Sequence, residues 1–240
     1  MGDILLMKTV CKGTILKRFK LIGFFLLLVM ASLHPIILYG QENDFQLWGD
    51  LSASYKITKK IGIQGEAGLR TRENTQLLKQ YYAETGLNYQ ISKRYDAQIN
   101  YRFTDYYLFG KTSIQRLSAD LSYDNKWKRL SYRVRVRYQQ EWFISNYSHE
   151  FTEQLLRTKI SVKYNIKKIK LAPYLGFEHF LGLNGKNAFL STALRISAGV
   201  DYPLTKKSGI SIAYLVDKEL LKSVPTTAFA ISVGYKIKLN

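Results

Sequence analysis

Arg133, Arg135 and Arg137 recur at every second position, and Arg157, Lys159 and Lys163 do much the same some twenty residues later. With Lys170 and Arg195 they form a set of cations that extended chain would place on one face, able to hold carboxylates or attract anionic solutes. Glu66, Glu84, Asp120 and Glu178 alternate in the same way elsewhere and could pair with that set. Two histidines are candidates for acid–base work: His149, and His179 beside Glu178, where a carboxylate-oriented ring could serve a nearby serine such as Ser145 or Ser148. No motif singles out a nucleophile, so no enzyme activity is expected. No His, Asp or Glu set has the spacing of metal ligands and no glycine loop would cradle a phosphate, so neither metal nor cofactor is expected.

The elements that must carry these residues are strands. From Gln46 onward apolar residues recur at every second position, the period of a strand with two unlike faces. Leu130, Tyr132, Val134, Val136 and Tyr138 fall on one face and Ser131, Arg133, Arg135, Arg137 and Gln139 on the other, a separation no helix achieves. Counting every such segment, including Gln46 to Ile57, predicts eleven strands, each of roughly ten residues.

The first forty residues differ. Five cations, Lys8 to Lys20, precede the apolar run Leu21 to Ala31, which reads as a signal peptide cleaved near Gly40, leaving one domain over residues 41–240. A retained membrane anchor is the competing reading of Leu21 to Tyr39. The sole cysteine, Cys11, precedes the apolar run, so disulfides play no part in the mature chain. That chain holds 31 basic and 17 acidic residues, a net charge of +14. Such an excess attracts polyanions, but no zinc spacing, helix-turn-helix or RNA-binding aromatic pattern accompanies it, so nucleic acid is not expected. Lipopolysaccharide and anionic solutes are the expected partners. Lys79, Lys111, Lys186, Lys218 and Lys222 lie in segments read as long loops, where they could meet lipopolysaccharide phosphates.

Alternation alone also suits a soluble sandwich. Three features favour a closed transmembrane barrel of ten to twelve strands. Short connections (Thr58 to Lys60, Ser92 to Arg94, Asp124 to Lys128, Lys167 to Lys168) alternate with long ones (Glu73 to Gln80, Asp105 to Ser113, Trp142 to Gln154, Leu181 to Phe189, Asp217 to Pro225). The 18 tyrosines gather near strand ends, and Trp48, Trp127 and Trp142 read as interface anchors. Ser232, Gly234, Ile237 and Leu239 form a carboxyl-terminal pattern that looks like a last-strand signal for the barrel-insertion machinery. Within hydrocarbon only closure satisfies every backbone group of a sheet. An odd count of eleven conflicts with the even number usual in single-chain bacterial barrels, so ten or twelve stays open.

Trp48, Arg70 and Arg72, Arg157, Pro173-Tyr174 with Glu178 and Phe180, then Arg195 and Gly199, are dispersed single residues that together resemble an outer-membrane barrel family known as domain of unknown function 2490, over about residues 45 to 240. The resemblance implies an outer-membrane barrel and supplies no catalytic residues. Three functions follow as expectations: a structural or binding barrel whose lumen is filled by paired charges, a small porin-like channel favouring anions, and a lipid-modifying hydrolase.

Overall fold

The computed structural model describes residues 42–107, 111–145, 148–221 and 226–240; the expected signal peptide lies outside them. Eleven strands follow one another: β1 (Glu42–Lys56), β2 (Ile61–Arg72), β3 (Leu77–Gln90), β4 (Tyr95–Tyr107), β5 (Lys111–Trp127), β6 (Leu130–Ser145), β7 (Ser148–Tyr164), β8 (Ala172–Gly182), β9 (Ser191–Pro203), β10 (Ser208–Glu219) and β11 (Thr226–Lys238). Each pairs antiparallel with its chain neighbours, and β1 pairs with β11 to close the barrel.

The closing pair is parallel, from Glu42 opposite Thr226 to Ser54 opposite Lys238. Its direction follows from parity: in an up-and-down meander of eleven strands the last runs the same way as the first, so the seam cannot be antiparallel. The count of eleven therefore stands, and the even alternatives do not. At the end of the seam the Leu239 amide donates to Ser54 O at 2.9 Å, and the Asn240 side chain bonds both the amide and the carbonyl of Lys56 at 2.7 and 2.6 Å.

The expected contrast between short and long connections is not observed. β4 to β7 run to 13, 17, 16 and 17 residues and absorb most of two segments read as long loops, Asp105 to Ser113 and Trp142 to Gln154. His149 accordingly belongs to β7, not to a loop, though its side chain lies outside the described residues. Residues 73–76 suffice to join β2 to β3, and Lys128 and Arg129 to join β5 to β6, with Lys128 at φ 53. The reason is visible on the outside, where polar side chains such as Asp105 and Gln115 take over before the strands stop. Asp105 accepts from Tyr81 Oη at 2.5 Å and Ser113 Oγ at 2.7 Å.

Burial is inverted relative to a water-soluble protein. Along β5, Leu117 and Leu121 are 45% and 52% exposed, while Arg116, Ser118, Asp120 and Ser122 between and beside them are buried. The same holds for Ile99 against Asn100 and Arg102, and for Phe177 against Glu178. The interior is thus polar and the outside apolar, as the pleat demands once one set of alternate residues is chosen for each.

Candidate functional site: a belt of arginines and carboxylates

The even residues of β2 to β5 and the odd residues of β6, β7 and β9 carry their charges inward, where a belt of ion pairs follows the wall. Arg102 donates from Nε to Glu84 at 2.7 Å and from Nη2 to Glu66 at 3.2 Å. Arg116 joins the same Glu84 at 2.9 Å and reaches Glu141 at 3.7 Å. Arg137 binds Asp120 with two nitrogens, at 2.6 and 2.7 Å, the fork geometry that a guanidinium and a carboxylate share. Glu178 on β8 is a hub: Arg135 lies at 2.8 Å, Arg157 at 2.9 Å and Arg195 at 3.8 Å, and Arg195 also binds Asp217 at 2.6 Å.

Aromatic rings fill the space between these groups. Arg102 stacks on Tyr82 at 3.7 Å and Arg157 on Phe180 at 4.5 Å, while Arg70 and Arg195 approach the Trp48 ring at 4.1 and 5.1 Å. The Trp48 indole donates to Gln46 Oε1 at 2.8 Å. Eleven strands about 4.8 Å apart, tilted about 40°, give a backbone radius of about 11 Å, so side chains of three-strand separation such as Trp48 and Arg195 meet only by reaching well inside the wall. Close packing also depends on glycine. A Cβ on Gly68 would lie 2.6 Å from the Tyr82 ring, and one on Gly199 would lie 2.8 Å from Tyr174.

The sequence-predicted residues divide into groups. Arg135, Arg137, Arg157, Lys159 and Arg195 line the lumen together with Glu66, Glu84, Asp120 and Glu178. Arg133 and Lys163 also point inward but sit near the rim formed by the tight turns, where Arg133 holds Asp124 at 2.6 Å and Lys163 pairs with Asp201. Lys170 is not in the lumen. β7 stops at Tyr164 and β8 starts at Ala172, so Lys170 lies exposed in a seven-residue connection that contains the expected two-residue turn. Ser232 and Gly234 lie within β11 and Ile237 near its end, with Leu239 just beyond it and 57% exposed.

Trp48 is 5% exposed and lies in the lumen, which corrects its reading as an interface anchor; Trp127, 62% exposed, is on the outside. Arg102, Arg116, Glu141 and Asp217 were absent from the expected set. The alternation that marks Tyr101, Phe103 and Leu117 as outward assigns Arg102 and Arg116 inward, so the signal was present. Arg70 and Lys159 have no carboxylate within ion-pair distance among the described residues.

His179 and Glu178 are consecutive on a strand and so face opposite sides, which removes the expected dyad. The histidine instead meets Ser191 Oγ at 2.8 Å on the outside, with no carboxylate bonded to its ring among the described residues. Below the belt a cavity of about 310 Å³ opens at the tight-turn rim, with Gln64, Asn88, Gln98, Asp96, Asp124 and Arg133 in its wall. No group of three or more His, Cys, Asp or Glu residues arranged to hold a metal occurs among the described residues.

No curated protein matches the sequence. Among solved structures, the NanC porin is 12% identical with a TM-score of 0.42, the match covering 70% of this chain and 86% of that one. The siderophore receptor PirA from Pseudomonas aeruginosa is 8% identical with a TM-score of 0.31, over 68% of this chain and a third, 33%, of the receptor. Neither value is high enough to inform the lumen. A family model matches residues 45–223, and six residues dispersed along that stretch (Trp48, Arg70, Arg157, Glu178, Phe180 and Arg195) converge in the belt. The chain belongs to the family described as Protein of unknown function (DUF2490).

Proposed function

We propose that the chain is an outer-membrane β-barrel whose lumen is closed by the belt, serving a structural or binding role and not general diffusion. Its membrane setting is supported by the exterior. On β5 the outward residues between Gln115 and Tyr123 are Leu117, Ala119 and Leu121; eight residues at about 3.3 Å each, tilted about 40°, span about 20 Å, close to the apolar band of such barrels. No helix among the described residues is long and apolar enough to cross a membrane, which has no bearing on crossing by strands.

The observation that carries closure is the burial of the charges themselves. Asp120, Arg137, Arg157 and Glu178 are 6%, 6%, 8% and 2% exposed, values that an open aqueous channel past them would not leave. Planar-bilayer recording of the refolded protein tests the reading: the expected result is no steady conductance, and stable ohmic steps would overturn it. A second reading, a channel favouring anions, draws on Arg70 and Lys159, cations without a carboxylate partner among the described residues that would attract acidic solutes. It predicts conductance with anion preference in the same recording. For a hydrolase, the Ser191–His179 contact has no third group orienting the ring among the described residues, and no role is assigned to it.

A further inference from the structure

The turns on one rim share a composition that the ion pairs of the belt do not explain, although Lys56, Lys59, Lys60, Lys93 and Arg94 also line the cavity at the mouth on this side. Lys56, Lys59 and Lys60 flank the first, Lys93 and Arg94 form the second, and Lys126, Lys128 and Arg129 surround the third. Lys167, Lys168 and Lys170 occupy the fourth, Lys206 and Lys207 the fifth, and Lys236 and Lys238 end β11. Strand alternation puts all six places on one rim of the barrel. These fifteen cations are all exposed, no Asp or Glu occurs in the segments that join the strands on this rim, and none has a carboxylate partner among the described residues. The nearest acids, Asp96, Asp124 and Asp201, point into the barrel and are engaged by Arg133 and Lys163. The opposite rim is mixed: Arg72, Lys111, Lys186 and Lys218 share it with Glu42, Asp44, Glu73, Asp105, Glu153 and Glu219.

Directly above the basic rim the outside carries a ring of tyrosines, Tyr55, Tyr89, Tyr95, Tyr123, Tyr132, Tyr164 and Tyr202, each within six residues of a turn cation. Tyr123 meets both Tyr95 and Tyr132, with ring centroids 5.0 and 6.2 Å apart. Phenol rings prefer the level of lipid glycerol and headgroup, and at about 3.3 Å per residue the cations beyond them reach the level of the phosphates. Solvated charge alone would require neither the exclusion of acids from every turn nor the tyrosine ring at matching depth.

We infer that this rim is a binding collar for anionic glycerophospholipid headgroups, of the phosphatidylglycerol class, in the leaflet it meets. The inference rests on the membrane reading above. The collar makes the barrel select its annular lipid by charge on this side only, and holds it upright in the membrane, since tilting would lift cations off the phosphates on one side.

Trp127, exposed in the third turn's flank, is a built-in reporter. The full-length mature barrel is refolded into vesicles of phosphatidylcholine with phosphatidylglycerol, and either lipid is supplied with brominated chains. At about 20 mM salt brominated phosphatidylglycerol is expected to win the Trp127 site by about tenfold over brominated phosphatidylcholine, and the advantage should shrink to about twofold or less at about 0.5 M. A barrel carrying Lys59→Gln, Lys60→Gln, Lys93→Gln, Arg94→Gln, Lys128→Gln and Arg129→Gln, with Trp127 intact, should insert and lose the preference. Equal quenching by both lipids in the inserted native barrel overturns the collar while leaving the membrane reading untouched. Displacement of the quenching lipid by lipopolysaccharide, in preference to phosphatidylglycerol, also overturns it. Failure to acquire a heat-modifiable, inserted form in any vesicle would sink the membrane reading itself.

Discussion

Replacing Glu178 by glutamine removes one charge from the point where the belt is most crowded. Its carboxylate is 3% exposed and serves three guanidinia, of which Arg135 keeps only Asp120 at 4.0 Å, Arg195 keeps Asp217, and Arg157 keeps the neutral Gln139 amide at 2.9 Å. Lys159 is the cross-strand register partner of Glu178 and would lose the negative charge beside it. Breaking a buried pair by deleting one partner typically costs about 3–5 kcal/mol, because the other charge stays desolvated. The retained amide oxygen still accepts one hydrogen bond, which favours the lower end, about 3 kcal/mol. With a urea slope of about 2–3 kcal/mol/M the unfolding midpoint in vesicles should fall by about 1 to 1.5 M. Adding Arg157→Gln to Glu178→Gln should restore part of the loss, giving a coupling of at least about 1.5 kcal/mol. A midpoint for Glu178→Gln within about 0.2 M of the native barrel, or strictly additive losses in the double variant, would refute the view that these charges depend on each other.

Gly68→Ala should cost about 1–3 kcal/mol in the same urea assay, since its Cβ would meet the Tyr82 ring at 2.6 Å. Trp48→Ala should cost about 3–5 kcal/mol through the cavity and the lost arginine stacking, and fluorescence from Trp48 alone should resist quenching by both brominated lipid and aqueous acrylamide. Leu121→Arg, at the centre of the apolar band, should cost about 2–4 kcal/mol and slow vesicle insertion measured by gel mobility. Leu51→Cys with Tyr235→Cys, register partners across the parallel seam, should crosslink on oxidation, whereas Leu51→Cys with Ile231→Cys should not.

The strand content and the two faces could be read directly from alternation, because the pleat repeats every two residues and the two faces meet surroundings of different polarity. The direction of the closing pair could not: side-chain alternation is identical in a parallel and an antiparallel partner, so eleven strands looked like a miscount. Strand ends were misplaced at Asp105, Ser113 and Trp142 for a related reason, since outward polarity at Asp105, Gln115 and Gln140 marks the edge of the apolar band and hydrogen bonding continues past it. Trp48 was misread because tryptophan is so often an interface residue. Its own parity, one residue from outward Leu47 and three from outward Leu51, placed it inside. Which cation finds which carboxylate was beyond reach, as Arg135 and Glu178 are 43 residues apart and meet only when β6 and β8 flank β7.

Site-directed spin labelling along β5, one cysteine at a time from Gln115 to Tyr123 in vesicles, addresses the inside-out arrangement most directly. Labels at 117, 119 and 121 should be reached by oxygen dissolved in lipid and shielded from a water-soluble nickel complex, with 116, 118, 120 and 122 protected from oxygen, in strict period two. A pattern of the opposite phase, or nickel access at every position, would contradict the account.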